Sequence, residues 1–231
     1  MKRIFLLLPI LFLIPLFETR AQSIDLLWQG DGYTPPFYQG ASAWPAEGRI
    51  HFLAIPQGLG DPKGLTYKWT RDGTVLGSLS GVGQSTLTFN DSILSKTQRV
   101  KVEIISPDNE ALAQTSVTVT PTIPTTLIYE KNPLYGFMFH NETSNGYQLL
   151  DQEITFTAFP LFASVSNRES SALHYTWKSS AGEDSLLSSV TYRIPDGASG
   201  IASISLSLSN ANTLRQAAGS TFLVQFGNPN E

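Results

Sequence analysis

The feature that most constrains this chain is a pattern of residues that occurs twice in it. Five short segments recur in the same order: 27–28 as 128–129, 50–56 as 154–160, 65–69 as 173–177, 87–89 as 190–192, and 100–104 as 204–208. An internal duplication of this kind predicts two copies of one structural unit. A unit of roughly 100 residues with short, evenly spaced strands is typical of an antiparallel β-sandwich.

The periodicity inside the repeats supports strands. Residues 100–104 and 204–208 alternate apolar and polar side chains, and residues 117–120 do the same. Alternation with a period of two places one face of a strand in a core and the other in solvent. Turn-forming pairs such as Asp72-Gly73 and Asp196-Gly197 separate the alternating runs. We therefore predict an all-β chain of two tandem antiparallel sandwiches.

The boundary between the copies is predicted at a proline-containing stretch. Pro121 and Pro124 stand three residues apart, and proline cannot continue a central strand ladder. This predicts a first sandwich at 22–121, a short linker at 122–125 and a second sandwich at 126–231. Because such a linker is short and stiff, we expect the two units to lie end to end with limited hinge freedom.

The first 21 residues have the composition of a secretory signal peptide. Lys2 and Arg3 precede an unbroken apolar run over residues 4–17, and Ala21 offers a small residue before a cleavage point. The alternative is an uncleaved N-terminal anchor, through which alone the protein would contact a membrane. Either case predicts an exported protein that is secreted or held at the cell envelope or surface. The chain has no cysteine, a composition compatible with a bacterial exported protein, and we expect no disulfide scaffold.

Two aromatic motifs carry a family resemblance. Tyr67-x-Trp69 and Tyr175-x-Trp177 are each followed by a turn and a strand rich in serine and threonine, and they resemble bacterial Ig-like and PKD-like domains. The chain departs from the fuller PKD pattern, which continues with an aromatic residue and a second Gly-Asp-Gly. The resemblance implies a cell-surface or secreted module used for spacing, adhesion or assembly. It also implies that Tyr67, Trp69, Tyr175 and Trp177 lie in the cores.

The sequence predicts neither a catalytic site nor a cofactor. It has three histidines (His51, His140 and His174), and none belongs to a His-Glu-x-x-His zinc motif. The net charge of −4 disfavours nucleic acid as a partner. Aspartates at predicted turns are expected to act as turn residues and not as calcium ligands. The protein is therefore expected not to be an enzyme, with a hydrolase built from scattered carboxylates left as a remote alternative.

Two aromatic-rich segments, 33–44 and 134–147, stand at the same place in each repeat. Their exposed rings would stack on sugars, and the candidate ligand-binding residues are Phe37, Tyr38, Trp44, Tyr135 and Phe139. The competing interpretation is structural: a kinked edge strand whose aromatic rings close the open end of each sandwich. The first hypothesis is thus a non-catalytic surface protein that contacts protein partners, and the alternative is a carbohydrate-binding module that contacts glycans.

Overall fold

The computed structural model of the protein describes residues 22–180 and 184–227. Its first half forms two facing sheets, here called the N-terminal sandwich. One sheet has the order β1 (Ser23–Gly30), β2 (Arg49–Gln57), β6 (Thr86–Asn90). The other has the order β4 (Thr74–Val75), β3 (Thr66–Arg71), β7 (Gln98–Ile105), β8 (Ala111–Val119), and β5 (Gly81–Val82) also pairs with β3.

The second half forms the C-terminal sandwich from two four-stranded sheets. One sheet has the order β10 (Gly136–Glu142), β9 (Thr125–Asn132), β12 (Glu153–Leu161), β14 (Ser189–Arg193). The other has the order β11 (Tyr147–Leu149), β16 (Ala217–Phe226), β15 (Gly200–Asn210), β13 (Leu173–Ser179). All pairs of these strands are antiparallel except β11 and β16, which run parallel.

Each sandwich encloses its own hydrophobic cluster, as period-two alternation requires. In β7 every second residue is buried, from Gln98 to Ile104, and β15 shows the same alternation from Ala202 to Asn210. In the N-terminal sandwich β1, β2 and β6 face β3, β7 and β8, and in the C-terminal sandwich the corresponding strands β9, β12 and β14 face β13, β15 and β16. This is the strand arrangement of an Ig-like sandwich. The predicted all-β fold of antiparallel sheets is therefore confirmed, while the boundaries at 121/122 and 125/126 stay predictions.

The two tyrosine–tryptophan pairs lie at matching places in the cores. Trp69 on β3 and Trp177 on β13 are fully buried, and Tyr67 and Tyr175 are buried beside them. The Trp69 indole N–H donates to the Gln84 carbonyl at 2.8 Å, and that of Trp177 donates to the Leu187 carbonyl at 2.9 Å. A buried indole needs such a partner. Both rings thus join the third strand of the repeat, β3 or β13, to the chain segment that leads to the opposite sheet.

The predicted signal segment, residues 1–21, lies outside the described residues. Within the part of the chain that the structure describes, no helix has the length and apolar character needed to cross a bilayer.

Candidate functional site: the junction between the sandwiches

The structure separates the five aromatic residues that the sequence grouped together. Phe37 and Phe139 come into contact, with ring centroids 4.3 Å apart. Tyr38 packs edge-on against Phe162, at 5.5 Å. Tyr135 is 78% exposed in the turn between β9 and β10. The two aromatic-rich segments therefore do not form one continuous stacking surface.

Trp44 is a core residue of the N-terminal sandwich. Its side chain is fully buried, and its ring meets Phe89 edge-on with centroids 5.6 Å apart. The indole N–H donates to the Gly48 carbonyl at 3.1 Å. A ring with both faces inside the core presents no flat surface to a sugar. Trp44 instead closes the end of the sandwich, as the structural interpretation of segment 33–44 expects, although that segment is a loop and not the predicted edge strand.

An aromatic cluster joins the two halves around Phe37. Phe37 leaves the loop between β1 and β2 and lies among rings that belong to the C-terminal sandwich, and these are Tyr129, Phe137, Phe139 and Phe159. Arg168 lies over this group, with its guanidinium carbon 4.8 Å from the Phe137 centroid and 5.0 Å from that of Phe159. Edge-to-face pairs and cation–π contacts of this kind favour a fixed arrangement of the rings.

Backbone hydrogen bonds also cross the junction, by which we mean the contact between the two sandwiches. The Tyr33 N–H donates to the Ala163 carbonyl at 2.7 Å, and the Phe162 N–H donates to the Tyr33 carbonyl at 2.7 Å. Tyr33 thus uses both its backbone N–H and its carbonyl to bind two consecutive residues of the C-terminal half. Gly32 permits it, because a Cβ there would lie 2.9 Å from the Phe162 Cα.

Gln216 is the buried polar centre of the junction. It lies at the end of the β15–β16 turn, 2% exposed. Its amide nitrogen donates to the Ala46 carbonyl and to the Ser164 hydroxyl, both at 2.6 Å. Its amide oxygen accepts from the Ser164 N–H at 2.8 Å and from the Asn210 side chain at 3.0 Å. All four hydrogen-bonding positions of the amide are thus used: the bonds to Ser164 and Asn210 orient it within the C-terminal sandwich, and the bond to the Ala46 carbonyl crosses to the N-terminal one.

A charged contact lies beside this amide. The Glu47 carboxylate accepts from the backbone N–H groups of Leu214 and Arg215, at 3.2 and 2.7 Å. The Arg215 guanidinium in turn donates to the carbonyls of Ile93 and Leu94, at 3.2 and 3.0 Å. The turn between β15 and β16 is therefore held from both sides by the N-terminal sandwich.

No pattern in the sequence marks these junction residues. Glu47, Gln216 and Arg215 are ordinary polar residues in predicted loops, and their partners lie up to 170 positions away. The sequence hints at this contact only through Gly32 and the apolar residues after Pro160, and neither feature indicates which residues of the other half lie against it. The junction therefore enlarges the contact between the halves well beyond the predicted four-residue linker.

One further arrangement has the order of a catalytic relay. The His51 ring lies 2.9 Å from the Thr88 hydroxyl and 2.9 Å from an Asp31 carboxylate oxygen. Hydroxyl, imidazole and carboxylate in this order can activate a nucleophile. Here, however, the three groups lie on an outward sheet face, and the His51 and Asp31 side chains are each 45% exposed. We assign them a role in pairing β2 with β6, since His51 and Thr88 are direct cross-strand neighbours.

Acidic side chains and histidines do not gather into a metal site in residues 22–180 and 184–227: no group of three with ligating geometry occurs there.

The chain matches no protein-family model, and none of the curated proteins is significantly similar to it. Similar solved structures include the fibronectin(III)-like modules of Clostridium thermocellum CbhA, with 12% identity, 87% of this chain and 93% of that chain covered, and a TM-score of 0.28. The ectodomain of mouse nectin-like molecule 4 has 13% identity, 89% and 67% coverage and a TM-score of 0.33. Sidekick-1 immunoglobulin domains 1–4 have 12% identity, 91% and 51% coverage and a TM-score of 0.32. At such scores the similarities carry no argument, and the fold assignment rests on the strand order itself.

Proposed function

We propose that the protein is a non-catalytic, exported component of the cell surface or envelope, in which two sandwiches act together as one rigid spacer in adhesion or surface assembly. The observation that carries this proposal is the buried contact at Gln216, whose amide donates across the junction to the Ala46 carbonyl while its three other hydrogen bonds, to Ser164 and Asn210, hold it in place within the C-terminal sandwich. Domains within one chain ordinarily move relative to each other unless their interface is extensive. A spacer that holds a fixed distance instead needs an interface that prevents the two domains from rotating relative to each other.

The contacts around Gln216 provide that resistance in three chemically different ways. The aromatic cluster around Phe37 supplies apolar burial, the Tyr33–Phe162 pair supplies backbone hydrogen bonds, and Glu47 binds two N–H groups. A rotation of one sandwich against the other would have to break contacts of all three kinds, which lie at different points along the loop between β1 and β2. The signal-like segment at residues 1–21, with Lys2 and Arg3 before an apolar run, supports export.

Rigidity is tested by ¹⁵N relaxation on the mature protein, residues 22–231. We expect both sandwiches to tumble with one common rotational correlation time. Gln216→Ala should give two shorter and unequal times, because the Ala46 carbonyl and the Ser164 groups lose their shared partner. Gln114→Ala, on the exposed face of β8, is the matched control and should leave the common time unchanged. Independent tumbling in the native protein would contradict the spacer.

Export is tested separately by fractionating cells that express the native protein and sequencing its N-terminus. We expect the protein in the envelope or medium, beginning at Gln22. Retention in the cytoplasm would contradict the exported role, and turnover of a substrate that is lost on a point substitution would contradict the non-catalytic one.

Glycan binding is the second candidate, and the partly exposed rings of the aromatic cluster favour it. Phe137 and Phe139 lie nearly parallel, with centroids 5.6 Å apart, and both are only half-buried. Partly exposed rings offer apolar area to a sugar face. Titration with a glycan panel should then shift the aromatic resonances, and Phe139→Ala should abolish the shift while Tyr38→Phe does not. A panel without a binder would exclude this function.

A further inference from the structure

The repeat matches one end of the N-terminal sandwich with the same end of the C-terminal sandwich, residue by residue. This end is filled in the first sandwich and open in the second. In the N-terminal sandwich this end lies where Ile50 of β2 pairs with Phe89 of β6. The corresponding pair in the C-terminal sandwich is Ile154 of β12 with Tyr192 of β14. The sequence repeat and the strand register therefore identify the same place in both units, and their contents can be compared residue by residue.

Large side chains fill the end of the N-terminal sandwich. The fully buried Trp44 packs against Phe89, and Gln98 of β7 is buried at the same end with 1% exposure. Arg71 at the end of β3 places its guanidinium carbon 4.3 Å from the Phe89 centroid. Indole, amide and guanidinium groups together leave the core closed at this point.

Small side chains stand at the corresponding positions of the C-terminal sandwich. Ala202, which pairs with Val224, replaces Gln98, which pairs with Val119. Ser179 replaces Arg71, and the segment that precedes β12 contributes Leu149 in place of an indole. The lost volume remains as a cavity of about 250 Å³, here called the end pocket, whose apolar wall comes from Leu149, Ile154, Ala202, Ile204, Val224 and Phe226.

One polar atom in the wall of the end pocket lacks a partner. The Tyr192 hydroxyl is buried, and no hydrogen bond to it occurs in the described part of the chain. Buried hydroxyls nearly always have a partner in native proteins. Burial, and secondarily the nearby Asp184 carboxylate, raises the pKa of Tyr192 to about 12. The group is therefore an uncharged hydroxyl at neutral pH and can donate or accept one hydrogen bond.

We propose that the end pocket binds a small, neutral aromatic molecule of about the size of indole, with one polar atom hydrogen-bonded to the Tyr192 hydroxyl. An aromatic ring fits because an indole fills the equivalent end of the other sandwich. A neutral ligand fits because most of the wall is apolar, with Arg193 as the charged residue of the lining, and burying an unpaired charge against the apolar side chains is costly. The volume of about 250 Å³ lies just below the roughly 300 Å³ lower end of typical small-molecule pockets, which favours a ligand no larger than a bicyclic ring.

The test uses ¹H–¹⁵N spectra of the mature protein titrated with indole and with indene, which has the same shape but no N–H group. We expect saturable shifts at the amides of Ala202, Ile204 and Val224 with both probes. Indole should bind at least fivefold more tightly than indene, because only indole can satisfy the Tyr192 hydroxyl.

Two variants locate the binding and its polar contact. Tyr192→Phe introduces the residue found at position 89, and the affinity ratio between indole and indene should fall to about one while indene still binds. Ala202→Leu fills the pocket and should abolish binding of both probes. Tyr38→Phe removes a hydroxyl elsewhere on the surface and should change neither affinity.

Three results would overturn the proposal. The first is the absence of saturable shifts in the native protein, which would mean that water alone occupies the pocket. The second is an unchanged ratio in Tyr192→Phe, which would separate the hydroxyl from binding. The third is tenfold tighter binding of N-acetyltryptophanamide than of indole, which would assign the ring to a partner protein. None of these depends on the spacer role.

Discussion

The two sandwiches keep the same core anchor but are closed in different ways. Trp69 and Trp177 occupy matching strands and donate to matching carbonyls, at 2.8 and 2.9 Å. At one shared end, however, the N-terminal unit holds Trp44 and the C-terminal unit holds a cavity of about 250 Å³. The tryptophan lies between both sheets, where packing constrains its side chain from all sides. The side chains at a sandwich end are constrained only by the loop that covers it. Duplicated units therefore diverge first at their ends.

The first way to break this comparison is to empty the filled end. Trp44→Ala removes a fully buried indole and should lower the free energy of unfolding by about 3–5 kcal/mol, since the loss includes both transfer and cavity contributions. Leu149→Ala, at the end that is already open, should cost about 2 kcal/mol. Denaturant unfolding measures both.

The control for these core variants is Tyr135→Ala, which removes a ring that is 78% exposed and should change stability by less than about 0.5 kcal/mol. A cost for Trp44→Ala no larger than that for Leu149→Ala would show that the two ends are equally packed.

The second prediction concerns docking, because the filled end is also the end that meets the other sandwich. Gly32→Ala would place a Cβ 2.9 Å from the Phe162 backbone and 3.1 Å from the Pro45 ring. Neither atom belongs to a flexible side chain, so the junction must open or strain. We expect a loss of about 1–3 kcal/mol, as for other overpacked sites.

Gly64→Ala serves as the glycine control, since a Cβ there meets no atom within 4 Å. Thermal unfolding should show a lower midpoint only for Gly32→Ala, with increased amide exchange at Tyr33 and Phe162. Equal midpoints for the two variants would mean that the Tyr33–Phe162 contact contributes nothing to stability.

The sequence predicted the cores well and the junction poorly, for a physical reason. Alternation along β7 and β15 follows from local chemistry, so the strand faces and the buried Trp69 and Trp177 are visible in the residues themselves. The sequence places Trp44 at a sandwich end but does not tell whether its ring is buried or exposed, because burial depends on what the loop folds against. The contacts of Gln216 and Glu47 across the junction are with residues more than 150 positions away, and no local pattern encodes such a pairing.

The third prediction addresses the outer faces, where the difference between the sandwiches is one of charge. On the N-terminal face Glu103 lies 2.9 Å from the Lys101 ammonium and 3.7 Å from that of Lys68. The matching positions on the C-terminal face hold Ser207, Ser205 and Thr176. The hydrogen bond from Lys101, opposed in part by burial and aided by the charges of Lys101 and Lys68, lowers the pKa of Glu103.

A lowered pKa in the folded state stabilises the protein above the unfolded-state pKa, which is about 4.3 for glutamate. That contribution disappears as the pH falls through the lower folded-state value. Glu103→Gln should therefore cost less than about 1 kcal/mol at pH 7, because both lysines are more than one-third exposed and solvent screens the pair. The gap between native protein and variant should close as the pH is lowered from 5 towards 3. Ser207→Ala, the control, should show no such pH dependence. A difference in the free energy of unfolding between native protein and Glu103→Gln that stays constant over this range would assign the effect of Glu103 to packing. The two outer faces would then be energetically alike.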